Sequence, residues 1–145
     1  GPFGIKAGEK ITDYAWCKAN SKDCDHPKGT THALGTKKAN AFGLHDMHGN
    51  VMEWCLDHYV ADAYTRYSKK GDAIALLNPH FKPTKCKWAH VARGGHFRSE
   101  DKDLRSAARV FSREEWMEAD PQRPQSIWWL TKFDIIGFRV VVPVE

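Results

Sequence analysis

The sequence predicts an α+β fold with short strands, few helices and much irregular backbone. Three observations carry this. Stretches with strong helical character are few. Three short runs read as strands, at residues 51–56, 90–97 and 135–144. Between them lie long polar stretches punctuated by Gly, Pro, Asn and Asp.

Taken in order, residues 1–40 are rich in Gly, Lys, Asp, Asn and Thr, with Asp13-Tyr14-Ala15-Trp16-Cys17 as the apolar knot. Loop is expected there, with no helix. The character changes at Asn40. Ala41-Phe42-Gly43-Leu44 leads to a turn around His48-Gly49-Asn50, and Val51-Met52-Glu53-Trp54-Cys55-Leu56 alternates as a short strand. Residues 60–85 read as a long surface excursion with a turn at Lys69-Lys70-Gly71-Asp72. His90-Val91-Ala92-Arg93 reads as a strand running into Gly94-Gly95, and paired glycines there point to a bulge or to close approach of another backbone. Residues 104–109 are short and apolar-centred. Ser112-Arg113-Glu114-Glu115 resembles a helix start, with Ser as cap and Glu at the third helical position. Residues 135–144 form a β-branched run closed by Pro143, the expected terminal strand.

Composition narrows the function classes. The chain has 145 residues, 41% hydrophobic and 28% charged, which suits one globular domain or the larger part of one. The formal charge of +4 is spread along the chain, which describes a solvated surface and not a nucleic-acid footprint. No stretch reaches the roughly 20 apolar residues of a membrane span. Gly1-Pro2-Phe3-Gly4 lacks the basic start and apolar run of a signal peptide. Six Trp call for hydrogen-bond partners wherever an indole is buried. Cys17, Cys24, Cys55 and Cys86 allow three disulfide pairings or four reduced thiols, and Cys17 and Cys24 are close enough for a small loop closure. Their spacings do not form the paired CxxC of a zinc ribbon.

Asp46 and Glu53 bracket the Gly49-Asn50 turn, which brings two carboxylates toward one point. A tight turn also directs backbone carbonyls inward, here those of Gly49 and Val51. Two carboxylates and two carbonyls make an all-oxygen site suited to a hard cation such as Ca²⁺. The plainer alternative is an Asp that caps the turn and a Glu that pairs with an Arg. A rival uses His45 and His48, which flank Asp46, as ligands of a transition metal. Glu100, Asp101 and Asp103 read as a solvated acidic loop and not as an acid/base pair.

Residues 40–54 resemble the N-A-F-G-L-Y-D-M-x-G-N-V-W-E-W signature of the formylglycine-generating-enzyme, or sulfatase-modifying-factor, family. The other motifs follow in that family's order: Arg93-Gly94-Gly95, then Leu104-Arg105-Ser106-Ala107-Ala108-Arg109, then Gly137-Phe138-Arg139. The resemblance covers about residues 14–142. It implies the family's variant of the C-type-lectin-like fold, with short strands and much irregular structure. It also implies a calcium site of the Asp46 side chain, the Gly49 carbonyl, the Val51 carbonyl and the Glu53 side chain. His45 stands where Tyr is usual and Met52 where Trp is usual.

The same resemblance locates a departure. The authentic enzyme places two copper-binding cysteines shortly after the double glycine. Here Gly95-His96-Phe97-Arg98-Ser99-Glu100-Asp101-Lys102-Asp103-Leu104 contains no Cys, and Ser99 sits where the first would fall. A hydroxyl is hard and protonated at neutral pH, and cannot replace the thiolate a Cu(I) site requires. Copper is therefore not expected. A non-catalytic, calcium-stabilised binding or structural module, or a subunit of a larger assembly, is expected instead. The alternative is a copper-dependent formylglycine-generating oxidase with an atypical site. His96, Arg113, Trp116, Arg123, Trp128 and Trp129 form the candidate surface for a protein, glycan or peptide partner. The family's R-L-P-T-E-A-E-W-E-Y-A segment is missing, so residues 1–145 are expected to be the C-terminal portion of a single domain, with apolar surface exposed where the rest would pack. Asp120-Pro121-Gln122 and Ser126-Ile127-Trp128-Trp129 resemble a bacterial subgroup common in secreted proteins, which favours a secreted or periplasmic location over the cytoplasm.

Overall fold

The computed structural model describes residues 8–68, 80–83, 85, 88–117 and 134–142. Among them the regular elements are few and short. Helix α1 (Ile11–Tyr14) is a single turn, in a region where no helix was expected. The Asp13 carboxylate accepts the Lys10 N–H at 3.4 Å and so closes the turn's start. Its end is closed by Asn20, whose Nδ2 donates to the Thr12 and Ala15 carbonyls at 3.2 and 3.0 Å. Such local side-chain-to-backbone bonds allow so short a helix to exist without propensity or length.

The strands form a mixed four-stranded sheet in the order β3-β2-β1-β4. Strand β1 (Met52–His58) pairs antiparallel with β2 (His90–Arg93), Glu53 facing Arg93 and His58 facing His90. The register slips between Trp54 and His58, and Leu56 in that slip is 85% exposed. Strand β3 (Val110–Phe111) lies antiparallel on β2, and β4 (Ile136–Gly137) lies parallel to β1 with Glu53 opposite Gly137. The expected terminal strand at 135–144 thus contributes two ladder residues, and Phe138, Val140, Val141 and Val142 beyond them are exposed. Pro143 lies outside the described residues.

Within residues 60–85, where a surface excursion was expected, Ala63–Ser68 form helix α2, which buries Ala63. Arg109 ties it to the sheet. Its guanidinium lies 4.7 Å from the Tyr64 ring and donates to the Val60 and Ala61 carbonyls at 2.9 and 3.2 Å. The expected turn at residues 69–72 lies outside the described residues. The expected helix at 112–115 is a 3-10 turn, Glu114–Met117, and Ser112 does not cap it. The Ser112 hydroxyl accepts the His90 N–H at 3.0 Å instead, because that donor at the start of β2 is buried beside it. Cys17, Cys24 and Cys55 are free thiols, and Cys86 lies outside the described residues.

Among the described residues the buried apolar set is small: Tyr14, Ala15, Cys17, Met52, Ala63, Val91, Ala92, Phe97 and Leu104. Polar side chains share the interior with it. The Ser21 hydroxyl donates to the Phe97 carbonyl at 2.6 Å, and the Asn20 side-chain oxygen accepts the Cys17 N–H at 2.8 Å. Irregular backbone must satisfy its donors and acceptors somewhere, and these side chains do so.

Two glycines at left-handed φ separate crowding from backbone strain. A Cβ on Gly49 (φ +72) would overlap the Trp16 carbonyl, whereas one on Gly43 (φ +76) would meet nothing within 4 Å. Gly43→Ala should therefore cost about 1–2 kcal/mol of unfolding free energy. Gly49→Ala should cost about 3 kcal/mol or more, because a backbone clash adds to the strain. Urea denaturation of the two variants side by side measures the difference.

Candidate functional site

The turn at 45–53 is built by backbone strain and closed by side chains. Asp46 and Asn50 both adopt positive φ, 55 and 56, which Asp and Asn tolerate better than other residues. Asp46 is 7% exposed. Its Oδ2 accepts the Gly35 N–H at 2.7 Å, while its Oδ1 is buried with no hydrogen-bond partner. The Gly49 N–H donates to the Gly94 carbonyl at 2.9 Å. Asn50 holds three segments at once: its amide bonds the His32 N–H and carbonyl at 2.9 and 3.0 Å, its N–H reaches the Trp16 carbonyl, and its carbonyl accepts the Phe97 N–H. The double glycine is where another backbone comes close: a Cβ on Gly94 would lie 3.2 Å from the Met47 carbonyl oxygen.

Glu53 reaches the same turn from β1. Arg139, two residues past β4, clamps it: Nη2 to Oε1 at 2.7 Å and Nε to Oε2 at 3.0 Å. Arg139 Nη2 also donates to the His45 carbonyl at 3.0 Å. The bond to Glu53 pushes the guanidinium pKa up, and the charges of Glu53 and Asp46 add to it. Glu53 therefore pairs with an Arg, one of the two outcomes open from spacing. Asp46 takes a backbone N–H with one oxygen and keeps the other unmatched.

The donor set fits a hard cation in kind. It is all oxygen, and a buried carboxylate oxygen without a partner is the sort of atom a bound ion satisfies. The two oxygens of Glu53 carry about four lone-pair directions, so the Arg139 clamp leaves acceptor capacity for an ion. The Gly49 and Val51 carbonyls lie on the turn between the two acids. The transition-metal rival finds no support here. His45 is exposed with its Nδ1 against the Lys37 carbonyl at 2.8 Å, and no group of three or more His, Cys, Asp or Glu side chains able to hold a metal occurs among the described residues. Burial pushes the His48 pKa down, so its ring is neutral at pH 7.

A second concavity lies beyond the double glycine. It measures about 330 Å³ and takes in Met52, Arg93, His96, Ser99, Arg109 and Trp116. Ser99 is 8% exposed, and its hydroxyl accepts the His96 N–H at 3.0 Å. Its own N–H returns to the His96 carbonyl at 2.8 Å. The hydroxyl thus stitches a tight turn. None of the three described cysteines lines the cleft, and burial raises the pKa of the nearest strand thiol, Cys55. The acidic loop is solvated, as expected: Glu100 pairs with Lys18 at 2.9 Å and Lys102 at 3.1 Å, and those bonds hold its pKa down to about 2.

The candidate partner residues separate. His96 and Trp116 share the cleft. Arg113 lies 4.6 Å over the Phe111 ring and does not line it. Arg123, Trp128 and Trp129 lie outside the described residues. Sequence reasoning missed Arg139 as the partner of Glu53. Its signal was present in the Gly137-Phe138-Arg139 motif, but 86 residues separate the two charges.

Comparison with known proteins bears on the fold and the family. Part of the chain, 80 residues or 52% of it, is 31% identical to a protein named "Chaperone protein LppX" from Paenibacillus barcinonensis, covering 28% of that protein. A 72-residue stretch, 49% of the chain, is 39% identical to "Serine/threonine-protein kinase pkn1" of Chlamydia caviae, covering 10% of it. The chain thus spans less than a third of the curated relatives it matches. Among solved structures it superposes on Treponema denticola variable protein 1 with a TM-score of 0.61 and 22% identity, over 93% of this chain and 38% of that one. That likeness shows the fold alone. Residues 5–142 match the family model described as "Sulfatase-modifying factor enzyme 1-like domain", and the chain belongs to that family.

Proposed function

We propose that this domain is a non-catalytic binding module, a lectin-like variant of the sulfatase-modifying-factor fold, stabilised by calcium at Asp46, Gly49, Val51 and Glu53. The observation that carries the first half is Ser99. The cleft after the double glycine has a structural hydroxyl where the oxidase chemistry needs a thiolate, and no described cysteine lines it. The observation that supports calcium is the buried, unpartnered Oδ1 of Asp46. Relatives named as a chaperone and as a kinase, each matched over part of its length, are consistent with a module attached to different activities. A protein partner, or further residues of a longer chain, would suit the exposed Leu56 and the apolar run at 138–142. No described helix is long and apolar enough to cross a membrane.

The test of the first half is a copper-loaded assay on a Cys-x-Pro-x-Arg peptide. No formylglycine and no oxygen uptake are expected. Product formation that depends on copper would replace this reading with that of an oxidase using an atypical site.

Calcium should act on stability. An ion bound to the folded state at about 100 times its Kd stabilises by about 2.7 kcal/mol. Differential scanning calorimetry in EGTA and in calcium should show the Tm rise for the native chain, and Asp46→Asn should abolish the rise. An equal rise in Asp46→Asn would place any calcium elsewhere.

Arg139 gives an independent prediction. It shares Glu53 with the proposed ion, so the two positive charges oppose each other. Arg139→Met should lower stability in EGTA by about 1–2 kcal/mol, since a half-buried carboxylate loses its partner. The same variant should respond to calcium more strongly than the native chain. A smaller response, read by calorimetry or isothermal titration, would mean that Arg139 supports the ion and does not compete with it.

A further inference from the structure

The cleft beyond the double glycine is walled by hydrogen-bond donors and carries unbalanced positive charge. Arg93 and Arg109 both line it, and both also line a neighbouring cavity of about 220 Å³. Arg93 also bonds the Cys55 thiol, and the other hydrogen bonds of the pair end on neutral oxygens. Arg93 Nη1 donates to the Tyr64 hydroxyl at 2.8 Å and to the Ser106 carbonyl at 2.9 Å, and Arg109 donates to the Val60 and Ala61 carbonyls. Arg66, Arg98 and Arg139 each have a carboxylate partner, but neither Arg93 nor Arg109 forms an ion pair among the described residues. Asp103 is the acid on the cleft wall, where two arginines meet one carboxylate, and Asp57 lies on the wall of the neighbouring cavity.

The neutral groups on the wall are donors too. The Arg98 N–H donates to His96 Nδ1 at 3.2 Å, which fixes that nitrogen as an acceptor and puts the ring proton on Nε2. Burial, then the Arg98 charge, push the His96 pKa down and keep the ring uncharged at pH 7. The Ser99 hydroxyl already accepts a backbone N–H, which leaves its own proton to donate. Trp116 supplies an aromatic wall.

We propose that this cleft binds a small ligand through a carboxylate or similar oxyanion, with Arg93, Arg109, His96 and Ser99 donating and Trp116 packing against the rest of the molecule. The assignment rests on the domain being a binding module. The volume is at the small end of ligand sites, suited to a single sugar-sized molecule. The carbonyls that anchor the guanidinium groups hold them in place before a ligand arrives, which lowers the ordering cost of binding. Charge-assisted bonds to an oxyanion are roughly twice as strong as neutral ones, so a neutral ligand of the same shape gains less.

Glucuronate and glucose share a ring and differ in the carboxylate. Isothermal titration and tryptophan fluorescence of the full chain should show glucuronate binding at least about tenfold more tightly than glucose. Added NaCl should weaken it. Arg93→Gln should abolish the preference. Because Arg93 also anchors Tyr64 and Ser106 and its loss threatens the fold, His96→Leu is the second variant, with several-fold weaker glucuronate binding expected. Equal binding of the two sugars, binding of neither at millimolar concentration, or unchanged affinity in a folded His96→Leu variant would each overturn the assignment. Equal binding would leave the binding module standing while removing the oxyanion. Copper-dependent peptide oxidation would remove the module itself.

Discussion

Asn50 is the constraint on which the rest of the structure depends. It is 2% exposed and sits at positive φ. Its backbone and amide join the Trp16 segment, the His32 loop and the Phe97 turn, three stretches that no ladder connects. In a fold with so few ladder bonds, such a clamp replaces secondary structure as the means of satisfying buried backbone groups. Gly49 must precede it, because Trp16 approaches too closely for any side chain. The Gly49-Asn50 pair therefore fixes where Asp46 and Glu53 stand relative to each other before any ion is considered.

Arg139 extends that knot to the end of the chain. Gly137 lies opposite Glu53 in the parallel pairing of β4 with β1, and a Cβ there would lie 3.2 Å from Val51 Cγ2. The close approach puts Arg139 over Glu53, where its guanidinium also reaches the His45 carbonyl. The carboxylate is 24% exposed, so its pairing is stronger than that of a fully solvated surface pair. The strand has little ladder of its own, and the Arg139–Glu53 pair joins the Arg98–Asp134 pair and the Met52 N–H to Ile135 carbonyl bond in holding it.

Much of this was legible in the sequence, and what was missed has physical causes. The strands at 52–58 and 90–93 were visible because alternation and a double glycine are local signals. Helix α1 was not, because it owes its existence to Asn20 and Asp13 side chains and not to any apolar period. Ser112 followed by two Glu looked like a cap, yet the nearest unsatisfied donor belonged to His90, 22 residues earlier in the chain. Asp46 and Glu53 could be placed on one turn from spacing, but whether each found a protein partner depended on Gly35 and Arg139, both remote. The cleft was legible only as a missing thiol. That Arg93 and Arg109 line it with no ion pair among the described residues is a property of three dimensions.

The two sites are linked through the double glycine. Gly94 accepts the Gly49 N–H through its carbonyl, and a Cβ on Gly95 would lie 2.7 Å from Leu104 Cδ2, so this dipeptide is pinned to the turn on one side and to the buried core on the other. His96 and Ser99 follow at once and form the cleft wall. Whatever stabilises the turn therefore stabilises the orientation of those donors, with one fully buried residue, Phe97, between them. With Ser99 at this position, the turn, the Asn50 clamp and the pinned double glycine together hold a cleft wall of hydrogen-bond donors.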